Sequence, residues 1–577
     1  MKVSDYIVSF FEEHKVKHIF GYQGGMITHL VDSISKNNEM HFIQCYHEQT
    51  AAIAAEGYAR ESQRFGVAVS TSGPGATNMI TGIANAYFDS VPVIYITGQV
   101  NTYEYKYNKK IRQKGFQETD IVSIVKPITK YAVMIDDHNN IRYELEKAVS
   151  MATTGRKGPV LLDIPMNIQR AEIDAAKIHS YENAYSKPLL EDTKLEQAFS
   201  LLQKAKHPLV LCGGGIQIGN ATDEIERFLK ETNLPYVVSL MGKGSVDENK
   251  DNFVGMIGSY GNRCANIALS NADVVLVLGS RLDTRQTGNK NMRYLKNISF
   301  IHVDIDMDEL EENAAENILN IHSDVSDFLK AWINNYEKCF FDNKDWLCFI
   351  SNIKEKYSQQ KDVARFVENK DPYIALEKIM NVADDNTIFT VDIGQNQMWA
   401  AQSLNLKSEQ QFLTGGGLAP MGYALPAAVG ASFASPEKTI ACITGDGGFH
   451  MALQTLLLIS QYKLKINVFV LNNYALGMIT QFQSLYFNSN MAGTTKSGGY
   501  EVPNIKHIAN ACNLDYICVN AVSKQNFSNI GVGKIIEIMI NGLTTVVPKL
   551  EFDQPLYNMI PYLSDDEIAD ILPDSEK

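Results

Sequence analysis

The chain has 577 residues, 45% of them hydrophobic and 20% charged, with a formal net charge of −14. That length calls for about three or four globular domains, and the acidic balance argues against a nucleic-acid partner, which needs a basic surface. No run approaches the ~20 apolar residues of a membrane-spanning helix, and the eight cysteines form no Cys-x-x-Cys pair, so they read as buried reduced thiols of a cytoplasmic protein.

From the N-terminus, MKVSDYIVSFFEEHKVKH reads as an amphipathic helix without the apolar core of a signal peptide. FGYQGGM (20–26), with Gln23 and Gly24, is a Gly-rich strand-to-helix turn. HEQTAAIAAEGYAR puts Glu48 at the start of a helix of small residues. GVAVSTS (66–72) and VPVIYITG (91–98) are apolar strands, with the Gly-rich turn TSGPGATN between them. KGFQETD (114–120) is a loop carrying Gln117, and GPVLLDIP (158–165) is the last strand before a polar, irregular linker near 172–192. HPLVLCGGG, ADVVLVLGS and SFIHVDID supply the strands of a middle block, and a second polar, helix-like connection runs from about 335 to 370. TIFTVDIG, KTIACITGDG and INVFVLNN begin a third block, and an acidic tail follows from about 551. Short apolar strands without alternation, separated by helical patterns, indicate parallel sheets buried on both faces. The expected class is α/β, with three doubly wound parallel-sheet domains over residues 1–171, 190–335 and 370–550 and a tail over 551–577.

The chemistry is most readable in the third block. KTIACITGDGGFH is a strand that ends in a Gly-rich turn opening a helix, an arrangement whose backbone N–H groups favour an anion. Asp446 at the strand end supplies a carboxylate oxygen, and the next strand delivers Asn473. One carboxylate, one amide oxygen, one backbone carbonyl (Ala475) and phosphate oxygens would satisfy the octahedral demand of Mg²⁺. A lone GDG would be an ordinary turn; GDG followed by NN, each at a strand end, reads as a clamp for a magnesium diphosphate. TVDIGQNQMWAA places Gly394, Gln395 and Asn396 just past another strand end, where open α/β sheets bind ligands. GGGLAPMGYALPAA (415–428) adds a flexible loop with Met421.

Taken in order, HEQTAAIAAEGYAR, TSGPGATN, FQETD, GPVLLDIP, LMGKG, SRLDTRQTG, HVDID, GQNQMWAA and GDG…NN make the chain resemble the acetolactate synthase branch of the thiamine diphosphate-dependent enzymes over nearly its whole length. The resemblance implies a pyrimidine-binding first domain, a central FAD- or nucleotide-type domain and a diphosphate-binding third domain. It implies that Glu48 hydrogen-bonds the cofactor's aminopyrimidine and drives proton removal from the thiazolium ring, that Met421 wedges beneath the bent cofactor, and that the carbonyl of Ala419 steadies its amino group. It further implies catalytic roles for Gln117 and Gly24, and cofactor contacts from Thr71, Gly73, Asn78, Gly394, Gln395, Asn396, Gly445, Gly447, Gly448, Gly477 and Met478. Gly213, Gly214, Gly215, Met241, Arg281 and Asp304 fall where the family's middle domain binds FAD. The first block of one subunit would face the third block of another, making the enzyme at least a homodimer.

The family chemistry is decarboxylation of pyruvate or another 2-keto acid, with transfer of the two-carbon unit to a second carbonyl. The chain departs from the pattern around the acceptor. Phe482 stands where the family's synthases carry Trp, Gln23 where they carry Pro, Asn396 where they carry His, and Thr284 where they carry a second Asp, while Arg285 is kept. Arg285, Phe482, Gln23 and Lys130 are therefore the substrate candidates. Two alternatives stand beside a keto-acid acceptor: transfer to a keto-sugar nucleotide of surface-polysaccharide synthesis, and a pyruvate oxidase-like transfer of electrons to flavin.

Overall fold

The computed structural model describes the whole chain except residues 289–294, 314, 337–340, 342, 529, 541 and 573–577. Three six-stranded parallel sheets form its scaffold. The first holds β1 (His18–Tyr22), β2 (His41–Gln44), β3 (Gly66–Ser70), β4 (Val93–Gln99), β5 (Tyr131–Met134) and β6 (Val160–Pro165), in the order β2-β1-β3-β4-β6-β5. The second holds β7 (Pro208–Cys212), β8 (Tyr236–Val238), β9 (Phe253–Met256), β10 (Val274–Leu278), β11 (Ser299–Asp304) and β12 (Ile318–His322), in the order β12-β11-β10-β7-β8-β9. The third holds β13 (Ile388–Val391), β14 (Gln411–Leu413), β15 (Ile440–Gly445), β16 (Ile466–Asn472), β17 (Asp515–Val519) and β18 (Lys534–Met539), in the order β14-β13-β15-β16-β18-β17.

The central strands are buried along their whole length because Val, Ile and Leu occupy both faces, as in GVAVS, PLVLC and VVLVL. Each such side chain contributes about 1.5–3 kcal/mol relative to exposure. The first and third sheets share one strand order, and the second has the dinucleotide-fold order when read from its first strand outward. Strand order reverses between β1 and β3, between β7 and β10, and between β13 and β15. The crevice beyond the carboxyl ends of such a strand pair is where open α/β sheets take ligands, and the Gly-rich turns of the sequence fall at these three places.

The blocks are welded by continuous cores. One apolar cluster joins Phe20, Ala51 and Tyr95 of the first block to Ala428, Phe449 and Val468 of the third. At its centre, helix Glu48–Ser62 crosses helix Ala424–Ala434 so closely that a side chain on Gly430 would start 1.8 Å from the Ala54 carbonyl oxygen. The small residues of the sequence thus serve backbone-to-backbone approach. The linker stretch 174–190 contains neither helix nor strand. The chain after β18 returns to the middle block, where buried Arg263 pairs with Asp362 and donates to the carbonyls of Met559 and Pro561.

Candidate active site

Two groups of the expected residues form, at the switch points of the first and third sheets. In the first group, Glu48 opens its helix and is 7% exposed. The Asn78 side-chain amide donates to Glu48 Oε2 at 3.0 Å. The other oxygen, Oε1, faces Gly75, where a side chain would start 3.1 Å away. Thr71 Oγ1, just past β3, accepts from the Met26 amide at 3.2 Å, and Gly24 lies against the Thr71 side chain. Gly73 takes φ +62°, a conformation costly for a residue with a Cβ, and Gln117 packs on it. Glu48, Asn78, Thr71, Gly24, Gly73 and Gln117 are thus one constellation. Gln23 sits at its exposed edge, its backbone N–H donating to Gln44 Oε1.

In the second group, Gly394 at φ +115° turns the chain from β13 into helix Gln395–Ser403. Gln395 reaches Asn473, whose Nδ2 donates to Gln395 Oε1 at 3.4 Å, and Asn396 donates to the Asp392 carbonyl at 2.6 Å. Gly445 lies over the Asn396 side chain, and Gly477 over that of Gln395. Asp446 begins the short helix that follows β15. Its Oδ1 accepts from the Tyr500 hydroxyl at 2.9 Å, while its Oδ2 is buried with no protein partner. Burial pushes the Asp446 carboxyl up to about 6, against the lowering effects of the Tyr500 hydrogen bond and of the Gly447, Tyr474 and Ala475 amides. Ala475, 5% exposed, donates its N–H to Asn473 Oδ1. Met421 Cε comes over Gly447, where a side chain would start 2.9 Å from it, and Gly448 lies against Asp392. Ala419 holds φ +57° in the loop leading to Met421. Met478 is half-buried at the edge of the core.

An orphaned, buried carboxylate oxygen at a Gly-rich helix start fits a divalent cation shared with phosphates. Among the described residues no group of three or more His, Cys, Asp or Glu gathers to hold a metal alone. A cation there would have to take further oxygens from its ligand. No hydrogen bond among the described residues joins the Glu48 group to the Asp446 group.

A third site lies at the switch point of the middle sheet. The turns after β7 and β10 touch: a side chain on Gly213 would start 2.1 Å from the Gly279 carbonyl oxygen. Gly214, Gly215, Met241, Arg281 and Asp304 line a cleft here, closed on the other side by Arg60, Arg64 and Arg156 of the first block. Arg156 bridges the blocks through Asp306 and Glu309. Burial raises the Asp304 carboxyl to about 6. Contacting glycine turns beside arginines, of which Arg60 and Arg156 are themselves held by carboxylates, fit a diphosphate-containing ligand.

Of the substrate candidates, Arg285 sits in the turn Thr284–Thr287, and Tyr260 lies within electrostatic reach of both Arg285 and Tyr486. Phe482 is 39% exposed, its ring 4.8 Å from Tyr486 and 5.8 Å from Phe487, and Tyr486 in turn meets Phe552. Lys130 joins neither constellation. Its ammonium donates to the Thr154 carbonyl at 2.7 Å, and burial lowers it to about 8. Three residues passed over in the sequence are integral to the geometry: Tyr500 on Asp446, Asp392 beneath Gly448, and Asp89, which accepts from the amides of Gly416 and Gly417. A carboxylate at the very end of a strand, as in TVDIG, was the one readable signal among them.

Comparison with known proteins identifies the family by its domains. Models of the thiamine pyrophosphate enzyme match in chain order: the N-terminal TPP binding domain over residues 1–124, the central domain over 195–332 and the C-terminal TPP binding domain over 392–531. The chain is 37% identical to a probable acetolactate synthase large subunit of Methanocaldococcus jannaschii, covering 84% of this chain and 83% of that one. It is 34% identical to the acetolactate synthase isozyme 2 large subunit of Escherichia coli, covering 86% and 87%. With the isozyme 1 large subunit of the same organism it shares 31% over 97% and 95%. The chain therefore belongs to the thiamine pyrophosphate enzyme family, in the branch of the acetolactate synthase large subunits.

Proposed function

We propose that this protein is a thiamine diphosphate-dependent carboligase that releases CO₂ from pyruvate and joins the remaining two-carbon unit to a second carbonyl compound, with the two constellations above as the halves of its active site. The observation that carries the reading is the unpartnered, buried Oδ2 of Asp446 at a Gly-rich turn, with Met421 Cε packed over the same turn at Gly447.

When bound, thiamine diphosphate supplies a carbon nucleophile and the electron sink that 2-keto acid decarboxylation requires. The chain's own groups do the rest. Asp446, the side chain of Asn473 and the carbonyl of Ala475 would hold Mg²⁺, which would neutralise the diphosphate charge. Backbone amides at Gly447 and Gly448 take the phosphate charge. Met421 and Ala419 would pack against the cofactor, with Gly394, Gln395, Asn396, Gly445, Gly477 and Met478 around it. Glu48 exchanges the activating proton through Oε1, since Asn78 occupies Oε2. Gln117, Gly24, Thr71 and Gly73 shape the space over the reacting carbon.

The Glu48 half belongs with the Asp446 half of a second copy, giving a homo-oligomer with active sites between subunits. In support, no hydrogen bond among the described residues joins the two halves, and Phe116, beside Gln117, is 81% exposed. The middle cleft takes FAD, on the strength of its contacting glycine turns and the arginines beside them. The domains are read as 1–171, 190–335 and 370–550 with a tail from 551. No described helix is long and apolar enough to cross a membrane; the seven described cysteines are all free, with Cys348 and Cys518 exposed rather than buried as the sequence suggested, and a cytoplasmic location is the reading that fits free thiols.

For the acceptor, Arg285 suits the carboxylate of a second 2-keto acid. The exposed ring cluster of Phe482, Tyr486, Phe487 and Phe552, with Lys549 over Tyr486, favours a second reading in which the acceptor is a larger keto-sugar nucleotide. Mass spectrometry after incubation with isotope-labelled pyruvate, Mg²⁺ and thiamine diphosphate tests both. Labelled acetolactate from pyruvate alone supports the first reading. CO₂ release with label appearing only on an added keto-sugar nucleotide supports the second. No CO₂ release with any acceptor refutes the carboligase assignment.

A further inference from the structure

The loop that carries Ala419 and Met421 is strung between two buried carboxylates. It leaves β14 and enters helix Ala424–Ala434. At its start, the Gly417 amide donates to Asp89 Oδ1 at 2.7 Å and the Gly416 amide to Asp89 Oδ2 at 3.0 Å. At its end, the amides of Gly422 and Ala424 donate to the two oxygens of Asp392, both at 3.0 Å. The first carboxylate comes from the first block and the second from the third block itself. Asp89 is backed by Arg60, whose Nη2 lies 2.8 Å from both Asp89 Oδ2 and Glu56 Oε1. Glu56 also accepts from Asn85 and from the hydroxyl of Tyr423, the residue after Gly422. Space is equally restrictive: a side chain on Gly416 would start 2.3 Å from Met241 Sδ, and one on Gly417 2.5 Å from Phe88 Cβ. Between the two tethers, Ala419 keeps a positive φ that alanine rarely adopts unless its surroundings impose it.

We propose that Asp89 is a positioning residue for the cofactor: with Arg60 and Glu56 behind it, it fixes the start of the 415–423 loop so that Ala419 and Met421 stand where bound thiamine diphosphate meets them. Hydrogen bonds to an ionised acceptor are the stronger kind, and two amides on one carboxylate fix direction as well as distance. The inference rests on the reading of this loop as part of the cofactor site. It adds that a residue of the first block, outside the Glu48 group, sets the loop's geometry.

The test measures the thiamine diphosphate dissociation constant, with saturating Mg²⁺, by calorimetry on the full-length wild type, Asp446→Ala, Asp89→Asn and Ser435→Ala. The last removes a different hydrogen bond between the first and third blocks, from Ser435 to Glu61, and leaves the loop alone. Asp89→Asn keeps the shape but turns an N–H toward one of the loop amides. A dissociation constant at least tenfold weaker for Asp89→Asn, with Ser435→Ala within twofold of wild type, is the result expected. Asp89→Asn within twofold of wild type, or Ser435→Ala weakened as much as Asp89→Asn, overturns the proposal. Failure of the wild type itself to bind, or undiminished binding by Asp446→Ala, would instead refute the assignment of the site. Should Asp89→Asn not fold, hydrogen exchange on the wild type decides. Protection of the Gly416 and Gly417 amides above that of neighbouring Leu418 is expected, and exchange at the rate of an open loop overturns the idea.

Discussion

Tyr500 donates its hydroxyl to Asp446 Oδ1 at 2.9 Å and leaves Oδ2 buried without a protein partner. This pair makes the cation site depend on protonation. Burial holds the Asp446 carboxyl at about 6, and a proton competes with the cation for the same oxygens. Magnesium-dependent affinity for thiamine diphosphate should be level above pH 6 and fall about tenfold per pH unit below it. Asp446→Ala should weaken it by more than about 100-fold, beyond the range typical of a supporting residue, and Tyr500→Phe by about tenfold. Calorimetric titrations between pH 5 and 8 measure all three, and a flat profile through pH 6 would remove Asp446 from the site.

The Asn78–Glu48 bond predicts a separation of binding from chemistry. Glu48→Gln keeps the size of the side chain but cannot exchange a proton as a carboxyl does. Cofactor affinity should change less than about threefold, while exchange of the cofactor's C2 proton with solvent slows at least 100-fold, the lower end for a positioned acid–base group. Quenched-flow NMR of the bound cofactor reads this directly. Near-wild-type exchange would mean that another group moves the proton.

What was legible in the sequence follows from where each group sits. Asp446, Asn473 and Gly394 stand at the ends of strands made conspicuous by runs of Val, Ile and Leu, so strand and site were read together. Glu48 stands at a helix start, a common place for a solitary acid, and gained meaning only from the segments around it. Tyr500 lies in an irregular stretch 54 residues beyond its partner, where no period marks it. Glu56 lies in a helix and Asp89 in the turn after one, and it is the close crossing of helices Glu48–Ser62 and Ala424–Ala434, at Gly57 against Ala427 and Gly430 against Ala54, that brings Glu56 to the third block. The same holds for Lys130, whose position beside Thr154 is a matter of tertiary packing.

Phe482 should govern the acceptor and not the first step. Its ring belongs to a half-exposed cluster with Tyr486 and Phe487, and no hydrogen bond among the described residues ties it to Asp446 or Asn473. Phe482→Ala should leave pyruvate-dependent CO₂ release within about twofold. Its kcat/KM for the second carbonyl should fall by 10-fold or more, in the range seen when an apolar pocket contact is removed. Product partition by mass spectrometry distinguishes this from a general loss, in which both values fall together.

The crossing of helix Glu48–Ser62 over helix Ala424–Ala434 tolerates no side chain at Gly430. The Cβ of Gly430→Ala would meet the Ala54 carbonyl oxygen at 1.8 Å, backbone against backbone, so that no rotamer change relieves the clash. A loss of about 3 kcal/mol is expected for overpacking of this severity, which lowers Tm by about 6–12 °C. A Tm within 2 °C of wild type would show that the helices can part at little cost.

Asp163 offers a pH test of the first sheet that is independent of any ligand. It lies on β6, fully buried, accepting from Thr97 Oγ1 at 2.7 Å and from Gln99 Nε2 at 2.9 Å. Burial raises it to about 7, in spite of those two bonds. The folded-state value lies above the unfolded one, so this group favours the fold fully below about pH 4, and that contribution is lost as pH rises toward 7. Ionising it in the core costs up to about 4 kcal/mol. Asp163→Asn removes the titration while changing the hydrogen bonds by a fixed amount. The variant's Tm minus that of wild type should therefore climb between about pH 4 and 7 and level off above. A difference independent of pH would mean that Thr97 and Gln99 hold the carboxylate ionised throughout, and that hydrogen bonding outweighs burial at this point of the sheet.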